Sequence, residues 1–125
     1  MCIRDRLTIK GDGTLTANGG NVTNGVSYGI NVESYTRSVS VMVENSNIIS
    51  KGGITDGIYL NVSYGIYAFS FYDSVLVTAI DGGSIYATGN NLEGEQSNSY
   101  GISAISNYGS VEIISRNGEI GRAHV

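Results

Sequence analysis

The sequence has one cysteine, one histidine, and neither proline nor tryptophan. A single cysteine excludes an intrachain disulfide framework and a zinc site made of several cysteines. No apolar run approaches the roughly 18 residues of a membrane-spanning helix, so no span is predicted. Nucleic-acid binding needs clustered Lys and Arg, and 7 basic residues against 11 acidic ones argue against it.

The two ends differ from the Gly-, Ser- and Asn-rich stretch between them. The opening MCIRD back-translates as ATG TGT ATA AGA GAC, the tail of a common transposase-type sequencing adapter, and the next adapter bases begin an Arg codon, as at Arg6. The closing EIGRAHV back-translates to a stretch that contains a common ligation-type adapter. We therefore interpret residues 1–6 and 119–125 as sequencing-adapter artefact, and 7–118 as an internal fragment of a longer protein.

This interpretation removes the cysteine and the histidine, because Cys2 and His124 lie in the adapter segments. Three of the seven basic and two of the eleven acidic residues lie there as well. Four basic and nine acidic residues remain in 7–118, which gives that stretch a net charge of −5. Its β-branched residues and tyrosines favour strands, and its glycines and asparagines favour turns.

The tetrapeptide SYGI occurs three times, at 27–30, 63–66 and 99–102, with a spacing of 36 residues each time. A second signature, Ser-Val, keeps the same register at 38–39, 74–75 and 110–111. A fixed period of this size predicts a solenoid-like array of repeats.

Each unit contains three short segments in which apolar residues alternate with others, the signature of strands. In the first, we expect Tyr28, Ile30 and Val32 to share a face with their equivalents Tyr64, Ile66, Ala68, Tyr100, Ile102 and Ala104. In the second, Val39, Val41 and Val43 align with Val75, Val77, Ala79, Val111 and Ile113. In the third, Leu15 and Ala17 align with Ile49, and then with Ile85 and Ala87.

Three strands per unit predict an all-β fold in which each unit is one turn of a parallel β-helix, with about three uncapped turns. Equivalent residues would stack about 4.8 Å apart. In SYGI we expect Ile to point inward, Tyr to stack along an edge of the core, and Gly to lie on the outer face. Two smaller turns per unit are an alternative. An antiparallel β-sandwich is less favoured, because it gives no reason for stacked identical tetrapeptides.

The combination of SYGI, GGSIYATGNN and GDGTLTANGG resembles the repetitive right-handed parallel β-helix regions of large bacterial cell-surface proteins, of adhesin-like or carbohydrate-binding-domain type. The resemblance covers nearly all of 7–118 and implies secretion, attachment at the cell surface and glycan binding. The expected function is a structural or adhesive, non-catalytic segment of such a β-solenoid. One alternative is a carbohydrate-binding module, and another is a fragment of a polysaccharide-degrading β-helix enzyme.

The segment YAFSFY, residues 67–72, is the candidate carbohydrate site. If Ala68 faces inward, Tyr67 and Phe69 face outward, and aromatic rings on a flat sheet can stack against sugar rings. In the repeat register, Glu33 and Ile105 occupy the column of Phe69. The alternative is that the apolar stretch 54–62 folds over this face and buries it. The predicted site consists of Tyr67 and Phe69, Phe71 near the corner, and Asn31 and Ser103 as hydrogen-bonding neighbours.

Two aspartates, Asp12 and Asp81, are candidate calcium ligands, because they share a turn column with three asparagines whose oxygens could join them. Asx-turns, with glycine supplying positive φ, are the favoured alternative. The asparagines are Asn45, Asn47 and Asn117.

No catalytic residue is predicted in 7–118. A glycoside hydrolase needs two carboxylates facing each other across a sugar, about 5–9.5 Å apart. The carboxylates of this stretch follow no repeated pairing, and its four basic residues are scattered. The carboxylates in question are Asp56, Asp73, Asp81, Glu93 and Glu95, and the basic residues are Lys10, Arg37, Lys51 and Arg116.

Overall fold

The computed structural model describes residues 2–56, 61–91, 97–116 and 119–121. Within these ranges the chain forms strands and turns and no helix, which confirms the all-β prediction. The strands are β1 Cys2–Arg4, β2 Arg6–Lys10, β3 Thr14–Asn18, β4 Val22–Thr23, β5 Val26–Ser34, β6 Val39–Glu44, β7 Asn47–Asp56, β8 Asn61–Ser70, β9 Val75–Ile80, β10 Ser84–Asn91, β11 Ser97–Ser106, β12 Val111–Arg116 and β13 Glu119–Gly121.

The strands form three sheets, which the chain visits in turn. The first sheet has the order β1-β5-β8-β11, the second β12-β9-β6-β2, and the third β13-β10-β7-β3, with β4 beside the end of β7. Every strand pair in the described ranges is parallel, so the antiparallel alternative is wrong. One 36-residue unit adds one strand to each sheet, so two turns per unit is wrong as well.

The core lies between the three sheets and is built of the predicted apolar columns. Ile30, Ile66 and Ile102 are fully buried and pair in register in the first sheet. The predicted valine columns of the second sheet are confirmed, since Val39, Val41 and Val43 pair with Val75, Val77 and Ala79, and Val111 and Ile113 follow. Burial of such aliphatic side chains, about 1.5–3 kcal/mol for each, is the main favourable contribution to the stability of the stack.

The prediction that the tyrosine and the isoleucine of SYGI share a face is wrong. Tyr28 is half-buried, whereas Gly29 and Ile30 are both buried, so the alternation of the strand is interrupted at the glycine. The tyrosine ring instead contacts Tyr67, whose neighbour Ala68 points into the core. The tyrosines of SYGI therefore lie on the outer face of the first sheet.

The prediction for the glycine of SYGI is also wrong, because the glycine does not lie on the outer face. A β-carbon on Gly29 would be 2.7 Å from the carbonyl oxygen of Gly65, in the next strand of the same sheet, and 2.7 Å from that of Lys51. Lys51 lies in the third sheet, so the first and third sheets approach each other closely here. Serine hydroxyls bridge the two sheets at this place. We call it the glycine–serine seam: Ser27 Oγ accepts from Gly53 N (2.9 Å), Ser63 Oγ donates to Gly53 O (2.8 Å), and Ser50 Oγ donates to Gly65 O (2.7 Å).

The predicted alignment of the third strand is wrong by one residue. Leu15 and Ile85 both pair with Ile48, which is fully buried, and not with Ile49. The physical reason is turn length: two residues separate β6 from β7, whereas three separate β2 from β3 and β9 from β10. The shorter turn shifts β7 by one position, and such a shift exchanges the two faces of a strand.

A second set of serines holds the corner between the first and second sheets. Ser70 Oγ accepts a hydrogen bond from Asp73 N (3.1 Å) and donates one to Arg37 O (2.8 Å) in the preceding repeat. Ser106 Oγ donates to Asp73 O (2.7 Å) in the same way. Each hydroxyl thus fixes its own turn and ties it to the one before. These serines recur every 36 residues, at 34, 70 and 106.

Candidate functional site

Aromatic rings form a connected layer on the outer face of the first sheet. Tyr28, Tyr64 and Tyr100 stack from repeat to repeat, with centroid distances of 5.3 and 5.2 Å and interplanar angles of 9° and 15°. Parallel pairing in register places identical side chains next to each other, so the repeat itself produces this tyrosine ladder. Tyr67 packs beside it, with its ring centroid 5.0 Å from that of Tyr64.

The five residues of the predicted carbohydrate site lie near one another. Tyr67 and Phe69 are half-buried, with ring centroids 6.2 Å apart, and Phe71 follows at 6.5 Å from Phe69. Asn31 and Ser103 are the ladder partners of Tyr67 on either side. The predicted column of Glu33, Phe69 and Ile105 is confirmed by the same registers.

Asn31 lies beside Tyr67 and forms a polar rim to the rings. Its Nδ2 donates a hydrogen bond to Glu33 Oε1 at 2.9 Å, so the amide of Asn31 is oriented by the carboxylate. The expected covering stretch 54–62 contributes its first residues to β7 and its last two to β8. Its central residues, 57–60, lie outside the described residues.

Among the residues that the structure describes, the most exposed rings lie at the corner between the first and second sheets, and the sequence did not predict them. Tyr35, Tyr72 and Tyr108 are 66%, 62% and 73% exposed. Phe71 stacks on Tyr35 at 5.7 Å and meets Tyr72 at 4.6 Å and Tyr108 at 5.6 Å. We call these four residues the corner ring cluster. Its signal in the sequence is a tyrosine one or two residues after each corner serine.

Burial raises the pKa of two tyrosines in this layer, Tyr67 and Tyr64. Desolvation, followed by repulsion from Tyr28, Tyr64, Glu33 and Tyr35, raises the pKa of Tyr67 from 10.0 to about 12. Desolvation, with repulsion from Tyr28 and Tyr100, also raises the pKa of Tyr64. Both phenols are therefore neutral at physiological pH, and their hydroxyl groups can donate hydrogen bonds to a ligand.

The raised pKa of Tyr67 predicts that the chain loses stability at high pH. An unfolded tyrosine releases its proton near pH 10 and the folded one near pH 12, so the unfolded state binds fewer protons between these values. The free energy of unfolding should therefore fall as the pH rises from 10 towards 12. Denaturant titrations across this range test the effect. Tyr67→Phe should show a shallower decline, and an identical decline in both proteins would contradict the assignment to Tyr67.

The candidate calcium ligands lie in exposed turns of the same column. Asp12 Oδ1 accepts a hydrogen bond from Asn45 Nδ2 at 3.0 Å. Asn45 and Asp81 adopt positive φ angles of 47° and 48°, the conformation that asparagine and aspartate tolerate in turns. Over the described part of the chain, no group of three or more His, Cys, Asp or Glu side chains is arranged to hold a metal ion.

The charged residues that the structure describes lie in turns and on the surface, where they form local hydrogen bonds and ion pairs. Asp73 Oδ1 accepts from Ser74 N at 2.7 Å within its own turn, and Lys10 pairs with Glu44 at 2.8 Å on the outer face of the second sheet. Glu93 and Glu95 lie outside the described residues. The buried polar residues of the described ranges are serine, threonine and asparagine.

Comparison of the chain with protein-family models, with curated proteins and with solved structures finds no match. The described ranges contain no helix that is long and apolar enough to cross a membrane.

Proposed function

We propose that residues 7–118 are a structural and adhesive, non-catalytic segment of a right-handed parallel β-helix, or β-solenoid, in a large secreted bacterial cell-surface protein. The observation that carries the proposal is that equivalent residues of successive repeats pair in all three sheets. They lie 36 positions apart between β8 and β11 and between β9 and β12, and 37 apart along most of β7 and β10. Such a stack lengthens by one turn with each repeat. The right hand is supported by the strong preference of parallel crossover connections for that hand. The likeness of SYGI, GGSIYATGNN and GDGTLTANGG to surface β-helix proteins supports the location.

Extension of the repeat array tests the structural part of this proposal. Two further copies of residues 63–98, inserted in register into the full chain, should lengthen the molecule by about 4.8 Å each while its cross-section stays constant. Small-angle X-ray scattering measures both quantities. Growth in all directions, or loss of folded structure with each added copy, would contradict a stalk.

Carbohydrate binding is the second candidate function, and the aromatic layer of the first sheet favours it. The rings of Tyr67 and Phe69 lie nearly parallel, with 14° between their planes, and polar groups of Asn31 and Ser103 flank them. Flat apolar rings with hydrogen-bonding neighbours fit the faces and hydroxyl groups of sugars. The ligand class is therefore a glycan, held by stacking along the outer face.

A glycan-array screen with the full chain tests this function. We expect binding to a defined sugar that is lost in the double variant Tyr67→Ala/Phe69→Ala. Tyr86→Ala is the matched control, because Tyr86 is an exposed aromatic residue in the third sheet, away from the layer. Loss only in Tyr72→Ala/Tyr108→Ala would move the site to the corner ring cluster. No binding by folded protein would leave only the structural role.

A further inference from the structure

The corner ring cluster contains one pair of tyrosines with a particular geometry. Tyr72 and Tyr108 belong to successive repeats, and their ring centroids are 5.7 Å apart with 16° between the ring planes. Both side chains are more than 60% exposed, so an oxidant in solution can reach them. Adjacent, accessible phenols are the arrangement that radical coupling of tyrosines requires.

We propose that Tyr72 and Tyr108 form a site of oxidative cross-linking, a dityrosine bond between neighbouring repeats. A haem peroxidase with hydrogen peroxide as the oxidant removes one electron and one proton from each phenol. The two phenoxyl radicals couple through ring carbons next to the carbon that bears the oxygen. The hydrogen on each coupled carbon then moves to the oxygen and restores the phenol. The peroxide takes up the two electrons and two protons and becomes two molecules of water.

The surroundings of the pair favour this cross-link over others. Tyr35 is equally exposed, but the ring that stacks on it belongs to Phe71, which has no phenol to oxidise. Tyr86 is exposed in the third sheet and contacts no other ring among the described residues. The tyrosine ladder of Tyr28, Tyr64 and Tyr100 is stacked but half-buried, which restricts access of the oxidant.

The cross-link would join two turns of a stretch, residues 7–118, that contains no cysteine with which to form a disulfide between repeats. Closing a loop of 36 residues reduces the conformational freedom of the unfolded chain, as a disulfide does. The ring contact already exists in the folded chain, so coupling needs only a small movement of two exposed side chains. We therefore expect the cross-linked protein to unfold at a higher denaturant concentration than the untreated one.

The test treats the full 125-residue chain with a haem peroxidase and limiting hydrogen peroxide. Monomer is isolated by size exclusion, dityrosine fluorescence is recorded, and the cross-linked peptides are mapped by mass spectrometry. We expect one main product, in which the peptides of Tyr72 and Tyr108 are joined with the loss of two hydrogens. Tyr72→Phe and Tyr108→Phe should each abolish it while keeping the stacked rings, whereas Tyr35→Phe should leave it unchanged.

The same treatment in denaturant provides the second control, since the preference for this pair should disappear when the repeats no longer stack. The proposal is overturned if the product persists in both phenylalanine variants or maps to the tyrosine ladder. It is equally overturned if cross-links form only between chains, or form as readily in the unfolded protein. These outcomes are independent of whether the chain binds a glycan.

Discussion

A single methyl group at position 65 is expected to destabilise the fold strongly or to abolish its cooperative unfolding. In Gly65→Ala the new β-carbon would lie 2.6 Å from Thr88 N, 2.7 Å from Gly101 O and 2.9 Å from Thr88 O. All three atoms belong to the backbone of neighbouring strands, so none can rotate away as a side chain could. Relief of the clash requires β8 to move away from Thr88 in the third sheet, along the glycine–serine seam, and also from Gly101 in the neighbouring strand of its own sheet.

The expected cost exceeds about 4 kcal/mol, the range reached only when a buried backbone arrangement or core is disrupted. A domain of ordinary stability has about 5–15 kcal/mol to lose, so this one substitution removes a large part of it, and nearly all of it if the stability lies at the lower end. Guanidinium titration followed by far-ultraviolet circular dichroism should show a strongly lowered midpoint or no cooperative transition.

Gly13→Ala is the matched control for this experiment. A β-carbon at position 13 meets nothing within 4 Å, and neither glycine has a positive φ angle. The two variants make the same chemical change, at a buried glycine within β8 and at an exposed one in the turn between β2 and β3, and only the first creates close contacts for the added methyl group. Gly13→Ala should change the free energy of unfolding by no more than about 0.5 kcal/mol. Equal stability of the two variants would show that the sheets do not approach closely at the seam.

The glycine–serine seam also explains why the sequence predicted the pairing of the SYGI residues but not the faces on which they lie. The 36-residue period predicts that identical residues pair, and it correctly places Ile66 between Ile30 and Ile102. It does not show that alternation stops at the glycine. That interruption is caused by contact with a strand of another sheet, and period-2 alternation within one strand contains no such information.

The register of the third strand illustrates a different limit of the sequence. Ile48 and Ile49 are chemically identical neighbours, so composition cannot tell which of them enters the core. The choice is made by the turn before β7, which is one residue shorter than its equivalents. The number of turn residues before the third strand of each repeat is the feature of the sequence that would correct the alignment of Ile49 with Leu15 and Ile85.

For the candidate site, the sequence predicted the neighbours but not the exposure. The period correctly placed Asn31 and Ser103 beside Tyr67, because parallel registers follow directly from the repeat. It gave no warning that Tyr72 and Tyr108 would be the more exposed rings, since both lie in turns rather than in alternating segments. Their position depends on hydrogen bonds of Ser70 and Ser106, which become visible only in three dimensions.

Truncation of the central core isoleucine should have the second largest effect. Ile66 is fully buried and pairs in register with Ile30 and Ile102. Ile66→Ala removes three carbon atoms, and such substitutions cost about 2–5 kcal/mol, depending on how far the surroundings collapse into the cavity. Backbone hydrogen bonds keep neighbouring strands about 4.8 Å apart, so the isoleucines on either side cannot move in to fill the space. We therefore expect a loss near the upper end, about 4–5 kcal/mol.

A graded series of variants distinguishes this cavity effect from a fold that is destabilised by any substitution of an apolar residue. Ile66→Val should cost only about 0.5–1.5 kcal/mol, because most of the column remains filled. Ile105→Ala makes the same chemical change at a side chain that is 39% exposed, and should cost less than about 1 kcal/mol. Denaturant titrations of the three variants give the free energies of unfolding. If Ile66→Ala and Ile105→Ala lose the same stability, the apolar columns between the sheets are not the source of stability, because only one of the two side chains lies within them.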